Sequence, residues 1–222
     1  MGLPTVSIGL LGLLMTPIQA AAILVVPSLI TNIWQAAVGG GIFKLVWRMW
    51  PLLAGICMGT LFGVLLLPHD GNGRATVWLG LALAAYAALG LVKGQFSVPR
   101  HAEVWLGLLM GTATGAITVA TGIFVIPGTP YLQALAFERD KMVQALGVSF
   151  TTSTITLALA LAHAGEVQRS LILPSLVALG AALIGMVLGQ SVGGRIKMGP
   201  FRLCFFIGLL LLGAHLALRG LL

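Results

Sequence analysis

Charge is scarce in this chain: charged side chains make up 8% of its 222 residues, and only five of them are acidic. With 59% hydrophobic residues and a mean hydropathy of +1.07, it lacks the polar surface that coats a soluble globule. A water-soluble domain is excluded and an integral membrane protein is expected. Cysteine is nearly absent too. Cys57 and Cys204 both sit in apolar runs, which fits small buried hydrophobes rather than a disulfide or a metal site. A basic leader is missing as well: Met1 is followed by the uncharged GLPTVSIGLLGLL, so no cleavable secretory signal is expected. No stretch is long and polar enough for a soluble domain, so residues 1–222 are expected to form a single membrane domain.

The residue sets that carry enzymatic chemistry are missing. His69, His101, His163 and His215 fall near the ends of apolar runs and share no His-Glu-x-x-His spacing, which excludes a zinc site of that kind. GVSFTTS (147–153) is rich in hydroxyls, but no Lys, Asp or His is placed within the run to activate one of them. GTATGAITVATG (111–122) lacks the Gly-Lys-Ser/Thr of a phosphate loop; Gly111 and Gly115 at four-residue spacing point to close helix packing. The expectation is no enzyme, no cofactor and no metal. The net charge of +7 comes from twelve Lys and Arg spread over every loop, which suits lipid head groups and not nucleic acid.

What the chain does have is long uncharged runs: 1–43, 49–69, 75–92, 104–137, 142–165, 170–194 and 203–218. About 20 apolar residues cross roughly 30 Å of hydrocarbon, so most of these are single spans. The run at 104–137 would be about 51 Å long as one helix, too long for one crossing and too short for two. Within it, Gly122, Pro127, Gly128 and Pro130 remove backbone donors and permit unwinding, which predicts a broken or re-entrant helix. Non-helical backbone at that depth is tolerated only where protein buries it or water reaches it.

An internal repeat is also visible. TPIQAAAILVVPSLITNIWQA (16–36) resembles ERDKMVQALGVSFTTSTITLA (138–158), and GLPTVSIGLLGLL resembles VIPGTPYLQALAF upstream. The fold class expected is an all-α polytopic membrane bundle of two repeats, 1–103 and 104–222. Each opens with a broken or re-entrant helix pair followed by three transmembrane helices. The first repeat lacks its opening half-helix, so the chain is expected to start inside it.

Loop charge separates two topologies. If the opening segments cross the membrane, the cations divide six against six. If both return to their own side, Lys44, Arg48, Lys93, Arg100, Arg139, Lys141, Arg195, Lys197 and Arg202 face Arg74, Arg169 and Arg219, which obeys the positive-inside rule and makes the halves inverted.

A midplane cluster of neutral polar groups is the candidate site. Thr121, Gly122, Pro127, Gly128 and Thr129 form the break, whose freed N–H groups and half-helix dipole suit an anion. Ser149, Thr151, Thr152 and Ser153 are candidates for one wall, with Thr31, Asn32 and Gln35 opposite. The competing reading is that the break serves packing and the hydroxyls join helices or bond their own carbonyls. In ERDK (138–141), Glu138 and Asp140 suit a helix N-terminus, and Arg139 and Lys141 are within reach of lipid phosphates.

TGIFVIPGTPYLQALAFERDKMVQALGVSFTTSTITLALA (121–160), with LVVPSLITNIWQA (24–36), resembles the TauE/SafE sulfite exporter family over essentially the whole chain. That resemblance implies a multi-pass transporter of small sulfur-containing anions, such as sulfite or organosulfonates, in a bacterial inner membrane. A small anion, a coupling ion and the lipid bilayer are its implied partners. The family's glycine-rich opening is reduced here to MGLPT. An anion channel and a non-transporting membrane scaffold are the alternatives.

Overall fold

The computed structural model describes residues 3–37, 40–66, 74–91, 97–166, 169–193 and 198–219. Among them there are nine α-helices and no strand: α1 (Leu3–Leu11), α2 (Pro17–Ala37), α3 (Ile42–Leu66), α4 (Arg74–Leu91), α5 (Glu103–Thr121), α6 (Gly128–Ala134), α7 (Arg139–His163), α8 (Ile172–Gly193) and α9 (Met198–Arg219). Four stretches are long and apolar enough to cross a bilayer: Pro17–Ala37, Ile42–Leu65, Arg100–Thr121 and Asp140–His163. Thr76–Leu91, Ile172–Leu188 and Leu203–Arg219 are shorter apolar helices. Large apolar side chains such as Leu173, Val177, Phe43 and Trp47 lie on the outside, where only lipid suits them. The protein is a polytopic helical membrane protein. Cys57 and Cys204, expected to be buried, are exposed, because the outer face of a membrane bundle is as apolar as its core.

Local sequence explains where the helices begin and stop. Thr16 and Gln19 bond each other's backbone amides across Pro17, the reciprocal cap that starts α2. Gly122 ends α5 in a left-handed conformation (φ 74°), its amide bonded to Thr118 O at 2.7 Å. The next residues, Ile123 to Ile126, are buried without helical structure, and a cis Ile126–Pro127 bond precedes α6.

The chain then turns back. Tyr131 of α6 donates to Glu103 O at 2.7 Å, and Val98 N donates to Ala134 O, so α6 returns to the end of the bundle where α5 began. The expected break at 104–137 is therefore a re-entrant hairpin, with α5 nearly a full span (about 28 Å) and α6 a half-helix. At this end Arg48 of α3 grips Glu103 through a two-pronged ion pair (3.0 and 2.7 Å), and its guanidinium stacks 4.9 Å over the Phe137 ring. The start of α7 is at the same end: Lys141 donates to Gly40 O instead of reaching for lipid phosphates, and Gln144 donates to Ala36 O at 3.1 Å. At the opposite end Arg219 donates to Leu13 O.

Small residues decide the tightest contacts. α3 and α5 run parallel and meet through Gly55 and Gly59 on one helix and Gly111 and Gly115 on the other. A β carbon at any of the four would overlap the facing backbone, which bears out the packing role read from the Gly111–Gly115 spacing. α4 and α9 cross antiparallel through Gly80 and Gly213, each lying against the backbone of the other helix. Tyr86 and Phe206 stack edge-on beside that crossing, 5.5 Å apart. Gly180 and Gly208 have open space where a side chain would go. Gly59→Ala is expected to cost about 1–3 kcal/mol by forcing α3 from α5, whereas Gly180→Ala should be neutral or gain the usual helical preference for alanine. Thermal unfolding of the two variants in detergent checks this, and equal melting points would refute the close-packed α3–α5 interface.

Candidate functional site

The middle of the bundle is where α2 and α7 cross antiparallel, with the tip of the α5–α6 hairpin against them. Gly147 lies against the backbone at Gln35 and Ala36 near one end of the crossing, and Ala21 packs with Leu157 and Leu161 towards the other. Between these, Asn32 Nδ2 donates to Thr154 Oγ1 at 3.3 Å, and both residues are 1% exposed. A carboxamide in an apolar helix is costly unless bonded, so this pair holds the two helices in register. Pro27 stands within α2 one turn before Thr31 and leaves the carbonyl of Ile23 without its helical donor.

The hairpin tip touches the crossing at Gly122. A β carbon there would lie 3.0 Å from Ala21 Cβ and 3.3 Å from Ile8 Cδ1, so glycine is required by space as well as by φ. Ile8, Ala21, Leu24, Val25, Ser28, Gly122, Phe124, Thr154 and Leu157 line a cavity of about 10 Å³, room for about one water molecule. The cavity thus draws on α1, α2, the break and α7, and its polar groups are Ser28 and Thr154.

The expected site residues divide into four groups. Asn32 and Gly122 both lie on the crossing, Asn32 bonded to Thr154 and Gly122 against Ala21 about three turns of α2 away. Thr121 closes the break: its hydroxyl donates to Ile117 O and accepts from Ile123 N at 3.1 Å. Pro127 caps α6, with Gly128 against Thr114 of α5 and Thr129 buried beside it. Thr129 N is bonded to Val125 O and Tyr131 N to Pro127 O, and Pro130 has no N–H, which narrows the donors that α6 can offer an anion. The third group bonds to its own helix: Thr31 to Pro27 O and Ser28 O, Thr151 to Gly147 O, Thr152 to Val148 O. Gln35 is half-buried with its backbone against Gly147, while Ser149 and Ser153 are buried on α7.

Sequence reasoning missed Thr154. The signal was present: 154 is 122 residues after Asn32, the same offset that aligns 16–36 with 138–158. Were the two stretches an inverted pair, residues at matching positions would meet where they cross, and the offset would point to this contact. Ser28, also overlooked as a site residue, lies one turn before Asn32.

The break should be intolerant of a side chain at its first residue. Gly122→Ala is expected to lower the melting temperature in detergent well below that of Gly180→Ala, because it strains φ 74° and presses on Ala21; matching melting curves would count against the described hairpin tip.

A family model described as sulfite exporter TauE/SafE matches residues 1–216. No curated protein and no solved structure matches. A re-entrant hairpin packed on crossed helices, in a chain matched over nearly its whole length, leads to one assignment: the chain belongs to the sulfite exporter TauE/SafE family of membrane transporters.

Proposed function

We propose that the protein is a secondary transporter that moves a small sulfur-containing anion, sulfite or an organosulfonate, by alternating exposure of a central site between α2, α7 and the hairpin. The observation that carries this reading is the buried Asn32–Thr154 pair beside an interrupted helix, which together put neutral polar groups where an ion would pause. Within this reading Thr31, Gln35, Thr121, Pro127, Gly128, Thr129, Ser149, Thr151, Thr152 and Ser153 surround the path, and the protein acts as a carrier and not as an enzyme. Ser28, Asn32 and Thr154 are at most 5% exposed, which favours an occluding carrier over a water-filled channel.

The two halves, 1–103 and 104–222, act as inverted repeats in one membrane domain. Three contacts support this: α2 against α7 and α4 against α9, both antiparallel, and the 122-residue offset of Asn32 and Thr154. The matching pairs α3–α7 and α2–α8 are also packed. Among the described cations, Lys44, Arg48, Arg100, Arg139, Lys141 and Arg202 belong to the Glu103 end, and Arg74, Arg169 and Arg219 to the other. Lys93, Arg195 and Lys197 lie outside the described residues. This bias supports a bacterial inner-membrane protein whose Glu103 end faces the cytoplasm.

Two measurements check the proposal. Sulfite uptake into proteoliposomes should be saturable, and Asn32→Ala and Thr154→Val should each reduce it about tenfold, worth roughly 1.4 kcal/mol, while remaining monodisperse in detergent. Wild-type rates from both variants would remove the central pair from the mechanism. For orientation, Gly40→Cys and Ala164→Cys in a background without Cys57 and Cys204 are treated with an impermeant maleimide. Ala164→Cys should label on intact cells and Gly40→Cys only after lysis; the opposite pattern would invert the topology.

A further inference from the structure

Ten threonine hydroxyls in the described helices donate to a carbonyl one turn back, the usual way for a hydroxyl to be satisfied in hydrocarbon. Three buried hydroxyls break this pattern. Thr5, Thr129 and Ser153 are 1%, 6% and 0% exposed and have no hydrogen-bond partner among the described residues. An unmade bond of this kind is expensive in an apolar interior, so its presence in three places calls for a physical reason.

Each of the three lies within about one helical turn of the break or of a residue packed against it. Thr129 is in the first turn after it. Ser153 is one turn beyond Phe150, whose ring lies 5.0 Å from that of Phe124 within the break. Thr5 is one turn before Ile8, whose side chain lies against Gly122. The break adds a backbone oxygen: the carbonyl of Ile126 would bond the amide of residue 130 in a helix, and Pro130 has none. Among the described residues, no charged side chain accompanies these oxygens. Glu103, Glu138, Asp140 and Glu166 lie at the ends of helices or in loops, as do the described Lys and Arg residues. An anion carried through such a site is an isolated charge in a low dielectric unless a counter-ion accompanies it.

We propose that the hydroxyls of Thr5, Thr129 and Ser153, with the Ile126 carbonyl, bind a sodium ion that travels with the anion. Neutral hydroxyl and carbonyl oxygens at an unwound helix are suitable ligands for a small hard cation, and no carboxylate among the described residues is placed there to carry a proton instead. The cation site deepens the transporter reading, and its coupling role rests on that reading; cation binding itself does not.

The test uses purified full-length protein in sodium-free choline buffer. Radiolabelled sodium should bind saturably, and sodium should raise the melting temperature where choline does not. Ser153→Ala and Thr129→Val should fold as well as the parent, since each removes an unsatisfied hydroxyl, yet lose the sodium-dependent shift and bind sodium at least fivefold more weakly. Absence of saturable sodium binding, or variants that bind sodium like the parent, would overturn the site. Sulfite counterflow in proteoliposomes separates the two readings: counterflow that needs sodium supports the coupling. Sodium-independent counterflow, with the proton riding on the anion itself, overturns the coupling and leaves the transporter standing. Sodium binding without counterflow of sulfite or a sulfonate supports the cation site and overturns the transporter.

Discussion

A backbone amide or carbonyl in hydrocarbon has no water to bond, and the fold depends on how the interruption at 122–127 meets that constraint. Here the bonds come from threonines. Gly122 N is bonded to Thr118 O, Ile123 N to the Thr121 hydroxyl, and Ile123 O accepts from the Thr118 hydroxyl at 3.3 Å. Thr129 N closes on Val125 O. One turn of hydroxyls at the end of α5 therefore substitutes for the helical ladder it terminates. Burial of Ile123, Phe124, Val125 and Ile126 against the core then holds the stretch away from lipid. Without that local satisfaction α5 would have no reason to stop, and α6 could not return to Glu103.

The same constraint divides the bundle into stiff and yielding contacts. α3 and α5 meet backbone to backbone through glycines on both sides, a surface with no side chain free to adjust. The Arg48–Glu103 ion pair and the Tyr131 bond to Glu103 O extend that unit to α6. The α2–α7 crossing is mixed: one glycine contact, Gly147 against Gln35 and Ala36, and polar bonds at Gln144 and Asn32, then only a patch of small and branched apolar side chains towards the Arg219 end. Motion that opens one end of a carrier has a better path along the Arg219 end of this crossing than through the glycine interfaces.

How much of this was legible depended on whether the signal was local. The membrane class follows from composition, and the hairpin from Gly122, Pro127, Gly128 and Pro130 in a run too long for one span, because glycine and proline act on their own backbone. The packing role of Gly111 and Gly115 could be read for the same reason. Burial could not: apolar side chains face both lipid and core, so Cys57 and Cys204 gave no clue to their side. Hydroxyls were equally ambiguous. Thr151 and Thr152 look like neighbours of Ser153, yet their bonds go to their own helix, and only the helix rotation brings Thr154 to Asn32.

The bonding at that contact bears on how the proposed carrier would load. The Thr154 proton is committed to Phe150 O at 2.7 Å, so towards α2 the hydroxyl acts as acceptor and Asn32 Nδ2 as donor. The contact between them is long, 3.3 Å, and joins two neutral groups. An incoming oxyanion competes for the same N–H with a charged acceptor, and hydrogen bonds to ionised groups are about twice as strong as neutral ones. Taking Thr154's place costs one weak bond, and the Thr154 hydroxyl keeps its donation to Phe150 O. In the proposed carrier, a ligand that takes the Asn32 N–H would therefore break the Asn32–Thr154 link as it binds, while the Gln144 bond to Ala36 O would still join α2 and α7 at the Glu103 end.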